Sequence, residues 1–169
     1  KYNHAYCSET NKLLSTGGVG GAIQIGYDSK EISVEISDCT FENNNADYEG
    51  GALAIQCTKA YIHDSIFINN AAAREKFDSE NANFKMGGAI YFNNEAQTKN
   101  EYRLSSCTFK QNSADSNGHA IFITGTLTRV VISDLCLFED NSANGGSQIF
   151  VNNKDSILDF SNSTVQLKE

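Results

Sequence analysis

The chain has no proline and no tryptophan, and it has a single methionine. Without proline, its turns must be made by other residues. Positive charge is also scarce: 13 Lys and Arg stand against 21 Asp and Glu, for a net charge of −8. That balance argues against a nucleic-acid partner, whose phosphates call for clustered Lys and Arg. No apolar run approaches the ~18 residues that a membrane-spanning helix needs, so no membrane insertion by this segment is expected. No secretory signal pattern is present, and the chain begins with Lys1 rather than Met. It reads as a piece of a longer protein. A C-x-x-C pair, a G-x-S-x-G elbow and a phosphate loop are missing too. Gly17-Gly18-Val19-Gly20-Gly21 leads into a strand pattern rather than a helix, the wrong context for binding phosphate.

What the chain has instead is asparagine, 19 residues of it, several in pairs or triplets such as Asn43-Asn44-Asn45 and Asn69-Asn70. Asn tolerates left-handed turns and bonds its own neighbours, so recurring Asn points to recurring turns. Two phrases recur in alternation. One is Gly20-Gly21-Ala22-Ile23, Gly50-Gly51-Ala52-Leu53 and Gly87-Gly88-Ala89-Ile90, with the looser Gly118-His119-Ala120-Ile121 and Gly146-Ser147-Gln148-Ile149. The other is Phe-x-x-Asn: Phe41 with Asn44, Phe67 with Asn70, Phe109 with Asn112, Phe138 with Asn141. The first glycines are spaced by 30, 37, 31 and 28 residues. The long interval comes from residues 74–84, a polar stretch that reads as a loop inserted into one repeat.

Within each repeat the apolar period is two. Ile23 and Ile25 alternate with Ala22 and Gln24, and the same positions hold Leu53 and Ile55, Ile90 and Phe92, Ile121 and Ile123, Ile149 and Val151. That is a short strand with one buried face. A second strand pattern follows (Ile32, Val34, Ile36), then a polar corner, then a third strand carrying Cys39 and Phe41 on one face. Three short strands cannot bury a face alone, but stacked copies make a continuous core. The fold expected is all-β: one right-handed parallel β-helix over residues 1–169, about five rungs of three short strands. Rungs ~4.8 Å apart turn equivalent residues into columns. Phe41, Phe67, Phe109, Phe138 and Val165 are expected in one buried column. Asn44, Asn70, Asn112 and Asn141 are expected at a corner, in left-handed conformation, with amide bonding amide. The glycine pairs should allow positive φ and close backbone approach.

This alternation of Gly-Gly-Ala-Ile/Leu with Phe-x-x-Asn, from about Gly17 to the end, resembles the repeats of the chlamydial polymorphic outer membrane proteins. Those are autotransporters whose surface-exposed passengers carry many copies of both motifs. Similar repeats occur in very large surface proteins of ciliates and other protists. The resemblance implies a β-helical stalk or passenger that projects from a cell surface and takes part in adhesion.

Cys39, Cys107 and Cys136 share one position, two residues before Phe, with Ser65 and Ser163 in the other repeats. On a buried face they read as small apolar filler. In neighbouring rungs, Cys107 and Cys136 would also come within disulfide range. Cys57 falls in a different column, and Cys7 belongs by spacing with the buried one. Asp38, Asp64 and Asp134 align at one corner, a polar corner or a column able to bind Ca²⁺. His4, His63 and His119 stand apart from one another and read as structural or surface residues. No cofactor is expected. Tyr91, Phe122 and Phe150 fall on the outward side of successive first strands, where they would form an exposed apolar ladder, a candidate partner surface unless the 74–84 insertion covers it. Asn162-Ser163-Thr164 is a glycosylation sequon, relevant in a eukaryotic secretory setting. The reading that follows is a non-catalytic extracellular scaffold, structural or adhesive, whose partner is a protein or glycan at a cell surface or copies of itself. The alternatives are a subunit of a surface filament or coat, and a carbohydrate-active, pectate-lyase-like β-helix enzyme.

Overall fold

The computed structural model describes residues 4–5, 19–26, 33–57, 59–73, 85–94, 99–141, 146–153, 155–160 and 163–168. Among them are eighteen strands and no helix. After β1 (His4–Ala5), the first full repeat holds β2 (Ile23–Ile25), β3 (Ser33–Ser37), β4 (Thr40–Glu42) and β5 (Asn45–Ala46). The next holds β6 (Leu53–Ile55), β7 (Lys59–His63), β8 (Ile66–Ile68) and β9 (Ala71–Ala72). The third holds β10 (Ile90–Asn94), β11 (Asn100–Ser105), β12 (Thr108–Lys110) and β13 (Ser113–Ala114). Then come β14 (Ile121–Gly125) and β15 (Thr128–Glu139), and last β16 (Ile149–Val151), β17 (Ile157–Asp159) and β18 (Ser163–Lys168).

Each strand pairs in parallel with its counterpart one repeat away. The order β16-β14-β10-β6-β2 makes one five-stranded sheet, and β1-β5-β9-β13 makes a four-stranded one. The result is a parallel β-solenoid. The two-residue strands β5, β9 and β13 are a fourth side, beyond the three strands per repeat expected from the sequence; two residues are too few to show a period. In the fourth repeat the second and third strands fuse into β15, which pairs with β11 and β17 at its start and with β12 and β18 at its end.

The core columns follow from the register. Phe41, Phe67, Phe109 and Phe138 stack with ring centroids 4.9, 4.9 and 4.8 Å apart and planes within 7° of parallel. Leu53, Ile90 and Ile121 form a second buried column, and Ile62, Leu104 and Ile132 a third. Each fully buried side chain of this size stabilises the fold by about 1.5–3 kcal/mol. Two expected core positions differ. Ile23 is 40% exposed, because it lies on the edge strand β2 and has a described neighbour on one side only. Val165 pairs with Cys136, while Leu167 takes the place beside Phe138. The last repeat has no Phe-x-x-Asn to anchor its alignment, so its expected register slipped by two residues and chose the wrong partner.

The corners explain the motifs. In the Asn column, Nδ2 of Asn44, Asn70 and Asn112 donates to Oδ1 of the next Asn at 2.8, 2.9 and 2.8 Å. The same Oδ1 atoms accept the backbone N–H of the Asn one rung before, at 3.0 Å each. The left-handed residue, however, is the one preceding: Asn43, Asn69, Gln111 and Asp140 have φ of 56°, 51°, 54° and 50°. The motif Asn is kept for its amide, not for its backbone. At the glycine corner Gly50 has φ of +65°, and a Cβ on Gly51 would lie 2.1 Å from Gly88 O. The first glycine of the pair serves conformation, and the second serves close approach of the rungs.

Candidate functional site

The register builds ladders on the outside of the solenoid as well. On the five-stranded sheet, Gln24, Ala54, Tyr91, Phe122 and Phe150 fall in one line. Two residues further along each strand direction lies a polar line: Gln56, Asn93, Thr124 and Asn152. Tyr91 and Phe122 stack with centroids 5.8 Å apart, and Phe122 and Phe150 at 5.3 Å. Of the two arrangements expected for this aromatic ladder, an open patch or a covered one, the open patch is not the one found. Tyr91 is 8% exposed, Phe122 is 1% exposed, and Phe150 is half-buried. A period of two settles which side of the sheet a residue faces, but not what lies over that side. The 74–84 insertion lies outside the described residues.

A cavity of about 310 Å³ lies on this face. It runs the height of the solenoid, from Gln24 on β2 to Asn152 just past β16. Gln56, Asn93 and Thr124 line it between those ends, with Tyr91 and Phe122 beside them. Val19, Glu49 and Met86 line it too, and these three are held in a column by parallel bridges. Glu49 is its one acidic side chain, and no Lys, Arg or His lines it among the described residues.

Charged groups elsewhere are tied to each other, within and across rungs. Arg129 bridges Glu101 at 3.4 Å and Asp159 at 2.5 Å, and Arg103 Nε donates to Glu101 at 2.7 Å. His63 sits between Asp64 Oδ2, 2.8 Å from Nδ1, and Glu35 Oε1, 3.2 Å from Nε2. The hydrogen bond to Asp64, then that to Glu35, raises its pKa above the ordinary 6.5. The expected corner column is present: Asp38, Asp64, Ser106 and Asp134 all have positive φ, between 49° and 54°. Asp134 accepts hydrogen bonds from Ser105 Oγ and Ser133 Oγ. Among the described residues no group of three or more His, Cys, Asp or Glu is disposed to hold a metal. Among them, too, no helix is long and apolar enough to cross a membrane.

The cysteine column has a role that the sequence reading missed. Cys39 N donates to Ser65 Oγ at 3.2 Å, and Cys107 N donates to Cys136 Sγ at 3.4 Å. The column thus accepts a backbone N–H from the rung before. Ser65 Oγ and Cys107 Sγ in turn donate to the carbonyls of His63 and Ser105. The recurring Ser at this position was the available signal, since hydroxyl and thiol share donor and acceptor capacity. Cys39, Cys57, Cys107 and Cys136 are free thiols, so the Cys107–Cys136 disulfide is not formed. Both sulfurs are instead engaged with backbone groups. Burial pushes the Cys57 thiol up to about 11, and the hydrogen bond to Cys136 followed by burial raises that of Cys107. His119 is fully buried in the second-glycine slot, where Nδ1 accepts the Ala114 N–H at 3.3 Å and burial lowers its pKa. A Cβ on Gly146 would come within 2.5 Å of His119 Nε2, so the small residue makes room for the ring. Cys7 and Asn162 lie outside the described residues.

Residues 38–56 match the Chlamydia polymorphic membrane protein repeat. That stretch carries corner Asp38, Cys39, Phe41, Asn44 and the Gly50-Gly51 pair. The chain is also 31% identical over 144 residues to the probable autotransporter YfaL of Escherichia coli strain K12. The match covers 81% of this chain and 11% of that relative, so the chain spans a small part of its length. No solved structure matches. With the motif columns in register from rung to rung, the chain is a β-solenoid built from polymorphic membrane protein-like repeats.

Proposed function

We propose that the chain is part of a surface-associated β-helical passenger with a structural and adhesive role and no catalysis of its own. The observation that carries this reading is the run of columns through four successive rungs. Four successive rungs repeat the same Phe stack and Asn bond, and each adds ~4.8 Å of stiff length without new chemistry. Similarity to an autotransporter and to the polymorphic membrane protein repeat supports a place at the cell surface. Support for a non-catalytic role comes from the ionisable groups. Arg129 and His63 are spent on cross-rung pairs, and the cavity lining brings one carboxylate and no described base together. The partner is a protein or glycan on an opposing surface.

The test is to display the parent passenger on cells with and without these rungs and count attachment to a host-cell layer. Attachment should fall when the rungs are deleted. Unchanged attachment, or turnover of a polysaccharide by the folded chain, would overturn the reading.

A further inference from the structure

We infer that the trough on the five-stranded sheet binds a linear, neutral glycan; this rests on the adhesive reading above and names its ligand class. Four observations carry it. The first is extent: the lining begins at Gln24 on the first rung and ends at Asn152 on the fifth, four rung steps or ~19 Å, which calls for an oligomer rather than a single small molecule. The second is the line of amides and hydroxyl: Gln56, Asn93, Thr124 and Asn152 face the trough at successive rungs. An amide side chain offers both donor and acceptor, and a sugar hydroxyl does the same, so a ladder of amides matches a ladder of hydroxyls. The third is charge: no described cation lines the trough, so it offers nothing to neutralise a uronate, sulfate or phosphate, and Glu49 opposes them. The fourth is place. The trough lies on a sheet face and not at an edge, so an extended peptide cannot add to it by main-chain pairing, the usual route to peptide affinity on a sheet. The lining is also mixed, with half-buried Ile25 and Met86 supplying apolar contact beside the polar line, as small-ligand sites do.

The test uses the full chain and defined probes: the β-1,4-linked glucose hexamer, the α-1,4-linked glucose hexamer, the N-acetylglucosamine hexamer and polygalacturonate. Affinities are read by calorimetry, and folding of each variant by circular dichroism. One or more neutral hexamers should bind and polygalacturonate should not. Gln56→Ala should weaken binding by about 3–10-fold, the worth of one uncharged hydrogen bond. Ala54→Tyr, which extends the aromatic line into the trough while removing no polar group, should abolish binding in a protein that still folds. Failure of all three neutral hexamers, tighter binding of polygalacturonate, or binding that survives both substitutions overturns the inference. Measuring cell attachment with the same two variants separates the two readings. Attachment that persists in Gln56→Ala and Ala54→Tyr removes the trough and leaves the adhesive role standing; attachment that is absent in the parent as well removes both.

Discussion

Replacing Asn112 by Ala tests the Asn column where it is most connected. The Asn112 side chain takes part in four hydrogen bonds. Its Oδ1 accepts from Asn70 N at 3.0 Å and Asn70 Nδ2 at 2.9 Å, and its Nδ2 donates to Phe67 O at 2.9 Å and Asn141 Oδ1 at 2.8 Å. In the Ala variant Asn70 Nδ2 keeps Phe41 O, and Asn141 Oδ1 keeps the backbone N–H at position 112. The N–H of Asn70, fully buried, loses its acceptor. An orphaned buried donor costs about 1–3 kcal/mol, and each remaining lost bond about 0.5–1.5 kcal/mol. With one orphaned donor and three other lost bonds, the sum is a destabilisation of about 2.5–7.5 kcal/mol, read as a drop in the urea midpoint followed by circular dichroism. Asn112→Asp is the sharper variant. It keeps an acceptor toward Asn70 but turns the donor toward Phe67 O and Asn141 Oδ1 into a second acceptor. Burial raises the carboxyl's folded pKa above its unfolded value of about 3.9. Any stability it retains is therefore present at low pH and lost as pH rises through the folded value. Asn112→Asp should be nearer to wild type at pH 4 than at pH 7. A loss below about 1 kcal/mol for Asn112→Ala, or an Asp variant indifferent to pH, would refute the amide-column argument.

Phe109→Ala should cost about 3–5 kcal/mol, because the ring is fully buried between Phe67 and Phe138, and Phe109→Leu should cost clearly less; equal urea midpoints would count against a packed aromatic column. Gly51→Ala should prevent rung closure, since its Cβ would meet backbone of both Gly88 and Ala71; a variant with wild-type thermal midpoint would contradict this. With an alkylating reagent at pH 8 and peptide mass readout, half-buried Cys39 should label first among the described cysteines, while buried Cys57 and Cys107, whose pKa values are raised, should label only on unfolding. By NMR titration, His63 should titrate above 6.5 and His119 below it. The contribution of His63 to stability is then present below about pH 6.5 and lost as pH rises through its raised value, whereas that of His119 is full above about 6.5 and lost as pH falls, so Glu35→Gln and His119→Gly should change the pH profile in opposite senses.

Much of the solenoid was legible because period two and the spacing of two motifs both survive translation into a stacked fold. Phe41, Phe67 and Phe109, and Asn44, Asn70 and Asn112, fall where spacing put them. What escaped has identifiable physical causes. Asn69 and Asn70 are both Asn, and only the backbone shows that the first carries the left-handed turn while the second carries the amide bond. The trough was not foreseen, because its parts come from five repeats and share no motif. Gln24, Gln56 and Asn152 look in sequence like ordinary surface residues. The burial of Phe122 was left open for a related reason: alternation tells inside from outside only while the outside is wet.

The most direct test of the central claim, that repeats stack in register at a constant rise, is a distance measurement along one outward column. Glu35, Tyr61, Arg103, Val131 and Asp159 are successive register partners. Nitroxides attached by non-thiol chemistry at Glu35 and Arg103, and in a second sample at Glu35 and Asp159, can be read by electron paramagnetic resonance. Backbone separations should be about 10 Å for two rungs and about 19 Å for four. Distances that fail to grow with the number of rungs would contradict the stacked solenoid, and with it the account of every column built on it.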